Sequence, residues 1–289
     1  MRSEREMLEL IVGTAEEDDR IRAVVMNGSR ASPSAPPDPF QDFDVVYFVT
    51  DVAPFRHNTD WIERFGEIMI MQMPEDIQDP PPVGDGSFTY LMQFTDGNRI
   101  DLSLVPVDRL NEPEADSQSL LLLDKDGVVG PLDPPSDRDY LPTPPTAKAF
   151  ADCCNEFWWV APYVAKGLWR GEILYAKHFL DRIVRDQLMK MIGWYVGLKT
   201  DFRRSPGKFG KYLDRYLEPE LWEMLKRTYS DAGYEHTWDA LEAMCDLFSR
   251  LGIEVAEHFG FDYPRGDEER VMAHLAHVRH LPSDAVEIY

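Results

Sequence analysis

Three aspartates carry the chemistry this sequence offers. Asp42 and Asp44 stand two residues apart in "QDFDVVYFV", at the start of a strongly apolar run. In an extended chain that spacing points both side chains to one face. Two like charges at the edge of a core repel unless a cation sits between them. Mg²⁺ is the natural cation, because it takes hard oxygen ligands and bridges carboxylates to substrate phosphates. Asp101, in "RIDLSLVP", is the candidate third acid from a neighbouring strand. The alternation there sets Arg99, Asp101 and Ser103 on one face and Ile100, Leu102 and Leu104 on the other.

Acids arranged this way need a sheet to hold them, and the first half of the chain supplies strand-like runs: "IRAVVMNGS", "FDVVYFVT", "EIMIMQM", "FTYLMQF" and "RIDLSLVPV". Asp96-Gly97 between the last two is a hairpin signal, since a type I′ turn needs positive φ at both central residues. Asp101 is thereby expected on the second arm of a hairpin. Helical stretches are expected near Ser3 to Thr14 and Asn58 to Phe65. Proline and aspartate crowd "GPLDPPSDRDYLPTPPT", where neither helix nor central strand persists, so a boundary is expected between Pro131 and Thr146. Beyond it Ile173, Ala176, Leu180, Ile183, Val184, Leu188 and Met191 recur at helical spacing. Breaks are expected at Gly167–Gly171, at Arg204–Gly207, at Glu218-Pro219 and near Gly233. The fold class is therefore α+β: a mixed-sheet domain over residues 1–145, then a helical bundle over 146–289.

Composition narrows the function classes. The 289 residues are 44% hydrophobic and 12% aromatic, ample for folded cores. A formal net charge of −22 argues against nucleic acid as the main partner, because phosphate backbones require a basic footprint; it suits a cationic ligand, and composition alone is better accounted for by an acidic surface that keeps the protein soluble. No apolar run approaches membrane-spanning length, and the amphipathic, acidic N-terminus is unlike a signal peptide, so the expected compartment is the cytoplasm. Cys153, Cys154 and Cys245 make neither a disulfide framework nor a zinc pattern.

Gly28-Ser29 at the end of a strand, then Asp42-x-Asp44, then a strand-borne Asp101 resembles the signature of the nucleotidyltransferase superfamily. More narrowly, "NGSRASPSAPPDPFQDFDVVYFVTD", "RIDLSL", "EFWWVAPYVAKGLWRGEILYAKHFLD" and "MIGWYVGLKTDF" resemble the aminoglycoside 6-adenylyltransferases, the streptomycin-resistance enzymes, over nearly the whole chain. The resemblance implies that Gly28 and Ser29, with Arg30 after them, hold the triphosphate of ATP, and that Asp42, Asp44 and Asp101 hold Mg²⁺. It further implies Asp101 as the base that takes the acceptor's proton, a second ligand role remaining open. Pro33, Pro36, Pro37 and Pro39 oppose the short helix usual in the superfamily between Ser29 and Asp42. The narrower family is similar in having such a proline-containing insertion.

"KTDFRRSPGKFGKY" gathers Lys199, Arg203, Arg204, Lys208 and Lys211 in an otherwise acidic chain. Lys199, Lys208 and Lys211 are candidates for a nucleotide clamp, and a basic loop paired with neighbouring acids accounts for them equally well. Trp158, Trp159, Tyr163 and Trp169 lie beside Asp152, Glu156, Glu172 and Asp181; aromatics at helical spacing are commonly core. A cationic sugar calls for carboxylates on its guanidinium or ammonium groups, for which Glu156 and Asp181 are the candidates. The histidines of "HLAHVRH" lack nearby carboxylate or cysteine ligands and read as a solvated helix face.

The resemblance, together with these residues, implies an adenylyltransferase moving AMP from Mg-ATP to a hydroxyl of streptomycin, the 6-hydroxyl of streptidine, giving antibiotic resistance. The expected partners are ATP and a cationic antibiotic, with no nucleic acid and no membrane. The alternatives are the same chemistry on another acceptor (a different aminoglycoside, a lincosamide or a protein) and a nucleotide-binding module without turnover.

Overall fold

Ser3 starts the first helix with both arms of a capping box. Its hydroxyl accepts from the Glu6 N–H at 3.3 Å and the Glu6 carboxylate accepts from the Ser3 N–H at 2.7 Å. Helix α1 (Glu4–Glu17) then buries Met7, Ile11 and Ala15, four residues apart, on one face. In this computed structural model, which describes residues 1–79, 81, 84–109 and 116–289, the chain divides into two units, Met1–Asp139 and Tyr140–Tyr289.

The first unit is built on strands β1 (Ile21–Asn27) and β2 (Phe43–Val49), the five-residue helix α2 (Ala53–His57), and strands β3 (Ile68–Gln72), β4 (Phe88–Phe94), β5 (Arg99–Pro106) and β6 (Leu120–Asp124). Among the described residues they form one sheet in the order β3-β4-β5-β2-β1-β6, in which β2 and β5 run parallel and the other neighbours antiparallel. Alternation sorts each central strand. Phe43, Val45, Tyr47 and Val49 of β2, and Ile100, Leu102 and Leu104 of β5, are buried against α1, Phe55, Ile62 and Phe65. The Tyr47 hydroxyl donates to the Ile11 carbonyl at 2.6 Å, so even its polar tip is satisfied within the core. The opposite face carries the half-buried Asp44 and Asp101.

The β4–β5 hairpin turns at Asp96-Gly97 as expected, but only Gly97 has positive φ, at 91°, so the turn is not the type I′ form. Asp96 accepts from the Asn98 N–H at 3.0 Å and from the Arg2 guanidinium at 2.8 Å, which together hold its carboxyl well below the usual range. Residues 31–42 form neither helix nor strand, in keeping with their prolines. Of the helical stretch expected from Asn58 to Phe65, Asp60–Phe65 forms as 3-10 helix, while α2 lies ahead of it and ends at His57, with Asn58 extended at φ −126°.

The second unit contains α3 (Ala147–Trp169), α4 (Ile173–His178), a π-helical turn (Phe179–Val184), α5 (Arg185–Lys199), α6 (Pro219–Arg227), α7 (Tyr234–Phe259) and α8 (Arg265–His280). Its core centres on Phe157, stacked on Phe248 at 3.7 Å between ring centres, with Trp158 edge-on to both. Helix α5 ends at Lys199, earlier than the break expected at Arg204–Gly207. Phe202 adopts φ 56° and lays its ring over Gly197, where a Cβ would lie 2.3 Å from it. All three cysteines are buried, and burial pushes the Cys153 thiol up to about 12. Among the described residues no helix is long and apolar enough to cross a membrane.

Candidate active site

The site begins where β1 stops. Gly28 leaves the strand with φ 73°, a conformation that L side chains rarely adopt. A Cβ there would lie 2.1 Å from Asp44 Oδ2, so glycine is required both by the backbone and by the closeness of the Asp44 carboxylate. The 3-10 turn Gly28–Arg30 follows, and the Ala31 and Ser32 N–H groups close on the Gly28 carbonyl at 3.1 and 3.0 Å. Asn27, the last residue of β1, accepts from the Ser119 hydroxyl at 2.7 Å.

Arg30, expected at the nucleotide, turns its guanidinium to the chain's own backbone. Nε donates to the Asp42 carbonyl at 3.0 Å and Nη2 to the Gln41 carbonyl at 2.7 Å. The guanidinium carbon sits 3.9 Å from the centre of the Phe43 ring, and the side chain is only 8% exposed. With Gln41 Nε2 donating to the Ser29 carbonyl at 3.2 Å, Arg30 braces the Gly28–Ser29 turn to the start of β2. It thereby fixes the backbone that carries Asp42.

The parallel pairing of β2 with β5 sets Asp44 opposite Asp101. Asp42, just ahead of β2, joins them, and one oxygen from each of the three half-buried carboxylates lies within 4.8 Å of the others. Arg99, two residues before Asp101 on the same face, grips that carboxylate as a fork: Nε to Oδ1 at 2.7 Å and Nη2 to Oδ2 at 2.6 Å. Its Nε is also 3.9 Å from Asp42 Oδ2. Asp101, reinforced by Asp42 and Asp44, holds the Arg99 guanidinium above its ordinary value. Strand alternation already places Arg99 on this face, but its grip on Asp101 is legible only in three dimensions. The three carboxylates carry more negative charge than one arginine offsets. Hard, closely spaced oxygens are the donor set Mg²⁺ takes, so the residues fit a divalent cation.

The other candidates belong to the second unit. Lys199 is engaged with Glu254 at 3.1 Å and lies 3.9 Å from Glu218, while Lys208 and Lys211 are exposed. Phe209 between them is 91% exposed and strained at φ 57°. Glu156 is exposed on α3. Asp181 sits in the π-helical turn and pairs with Lys177 at 2.9 Å and Arg185 at 3.2 Å. Trp158 is core, whereas its neighbour Trp159 is 64% exposed. His274 and His277 on α8 contact the C-terminal segment, through the Tyr289 hydroxyl at 2.6 Å and by stacking on its ring.

Comparison with known proteins bears on the chain as a whole. A family model described as streptomycin adenylyltransferase matches residues 1–278. An aminoglycoside 6-adenylyltransferase of Bacillus subtilis (strain 168) is 43% identical over 93% of this chain and 95% of its own length. Another of Campylobacter jejuni is 44% identical, covering 93% of each. A crystal structure of an aminoglycoside 6-adenyltransferase from Bacillus subtilis is 38% identical, covering 97% of this chain and all of that one, with a TM-score of 0.48. On the match over residues 1–278 and these identities, the chain belongs to the streptomycin adenylyltransferase family, whose enzymes are aminoglycoside nucleotidyltransferases.

Proposed function

We propose that this chain transfers the adenylyl group of Mg-ATP to streptomycin, at the 6-hydroxyl of the streptidine ring, and so confers resistance. The observation that carries the reading is the convergence of Asp42, Asp44 and Asp101 beside the Gly28-Ser29 turn. In the transfer, the acceptor oxygen bonds to the α-phosphorus, the bond from that phosphorus to the bridging oxygen breaks, and pyrophosphate leaves. Mg²⁺, held by the three aspartates, would supply charge neutralisation on the phosphates. Asp101 takes the proton of the attacking hydroxyl, a role that a carboxylate can fill. Gly28 and Ser29 bring backbone close to the phosphates, and Arg30 keeps that backbone in register with Asp42.

Streptidine carries two guanidinium groups, which match carboxylates in planar, bidentate fashion. Glu156 and Asp181 are the carboxylates we assign to them, Asp181 sharing itself with Lys177 and Arg185. Lys208 and Lys211 are exposed and available to an anionic nucleotide. ATP as donor accords with a cytoplasmic enzyme.

The test is pyrophosphate release from ATP and Mg²⁺ across a panel of streptomycin, kanamycin and lincomycin, with mass spectrometry and NMR of the product. The expected result is one adenylyl group on the 6-hydroxyl of streptidine, and a loss on the order of a thousandfold in Asp42→Asn, Asp44→Asn and Asp101→Asn. A product with kanamycin or lincomycin and none with streptomycin would refute the acceptor. Near-normal turnover of Asp42→Asn or Asp44→Asn would refute the metal site.

A further inference from the structure

Arg99 stands where a metal's charge is wanted. Its fork on Asp101 and its approach to Asp42 place one positive charge against the three carboxylates, and no other cation pairs with Asp42 or Asp101 among the described ion pairs. The side chain is 45% exposed, and Arg99 is the first residue of β5. The guanidinium can therefore leave the carboxylates by rotating its stem into solvent, without disturbing the sheet.

From this geometry we infer that Arg99 is a positioning residue and the resident counter-cation of the aspartate trio, which a divalent cation must displace from Asp101. The inference rests on the metal reading above and deepens it. In the metal-free chain the fork keeps Asp101 turned toward Asp42 and Asp44 despite their mutual repulsion. When the metal binds, a guanidinium left in place would oppose it by like charge and would occupy both Asp101 oxygens. Arg99 thus raises the metal concentration the empty site needs, and its release frees Asp101 for ligation and proton transfer. A rigid fork that grips both carboxylate oxygens does this better than the point charge of a lysine could.

Removing Arg99 should therefore tighten metal binding, the opposite of what loss of a merely structural residue does. One charge against two at about 5 Å, even in a water-like medium, amounts to about tenfold in affinity. The experiment is Mn²⁺ binding to the nucleotide-free protein, followed by paramagnetic resonance, for the native chain, Arg99→Gln and Arg99→Lys. Thermal unfolding against Mn²⁺ concentration gives the same affinity for any variant whose metal-free form is weakened. Expected are about tenfold tighter binding in Arg99→Gln and a change of less than about threefold in Arg99→Lys, which keeps the charge. Unchanged or weaker binding in Arg99→Gln, or equal tightening in both variants, would overturn the inference while leaving the metal site standing. Mn²⁺ binding that survives Asp44→Asn undiminished, or no binding at all, would overturn the metal reading and this inference with it.

Discussion

Replacing Gly28 by alanine tests the closest contact in the site. The new Cβ would meet Asp44 Oδ2 at 2.1 Å and its Cγ at 2.9 Å, while Asp44 Cβ stays at 3.4 Å. The left-handed backbone costs an alanine about 1–2 kcal/mol. The overlap adds a further ~1–3 kcal/mol, because Asp44 must leave its rotamer or the turn must shift. Either movement draws one carboxylate away from the other two. Turnover should fall on the order of a hundred- to a thousandfold, as for loss of a charge-stabilising group. Chemical unfolding and pyrophosphate release read the two effects, and a double-mutant cycle separates them. In an Asp44→Ala background the carboxylate atoms that clash are gone, so Gly28→Ala should cost only its backbone part, about 1–2 kcal/mol. An equal loss of stability in both backgrounds, or native turnover in Gly28→Ala alone, would refute the claim that this glycine exists to admit Asp44.

Two further outcomes follow from particular contacts. If Lys208 and Lys211 serve the nucleotide, alanine at both should weaken ATP binding about tenfold or more, measured by titration calorimetry, with streptomycin binding unchanged; unaltered ATP affinity would make the segment a solvated loop. Asp96, held below the usual carboxylate range mainly by Arg2, contributes stability that is complete above the unfolded value near pH 4 and is lost as pH falls through its lower folded value. Asp96→Asn should therefore be about 1 kcal/mol less stable than the native chain at pH 7, with the gap closing below pH 4. A gap that is constant down to pH 2 would show that the ion pair contributes nothing.

Much of the first unit was legible because strand faces are local. Asp42 and Asp44 share a face from spacing alone, Ile100, Leu102 and Leu104 go inward by alternation, and the Asp96-Gly97 turn joins β4 to β5. The prolines after Ser29 exclude a helix there for equally local reasons, since each removes an N–H donor. The ends of helices were less legible. Helix α5 stops at Lys199 because Phe202 folds back on Gly197, a contact between side chain and backbone that no breaker residue announces.

What the amino-acid order determined by itself was which residue types could act and which face of a strand each occupies. Only the tertiary structure decided which of them meet. The parallel pairing of β2 with β5 brings Asp101 beside Asp44 from a distant part of the chain, and strand pairing depends on the whole sheet rather than on either run. The same holds for charges on long, rotatable stems. Arg30 looks like a phosphate ligand in sequence and braces backbone carbonyls in the fold; Lys199 looks like part of a clamp and meets Glu254; Arg99 looks like a strand-edge cation and closes on Asp101. A guanidinium or ammonium takes the nearest well-placed oxygens, and those come from residues that only folding brings within reach.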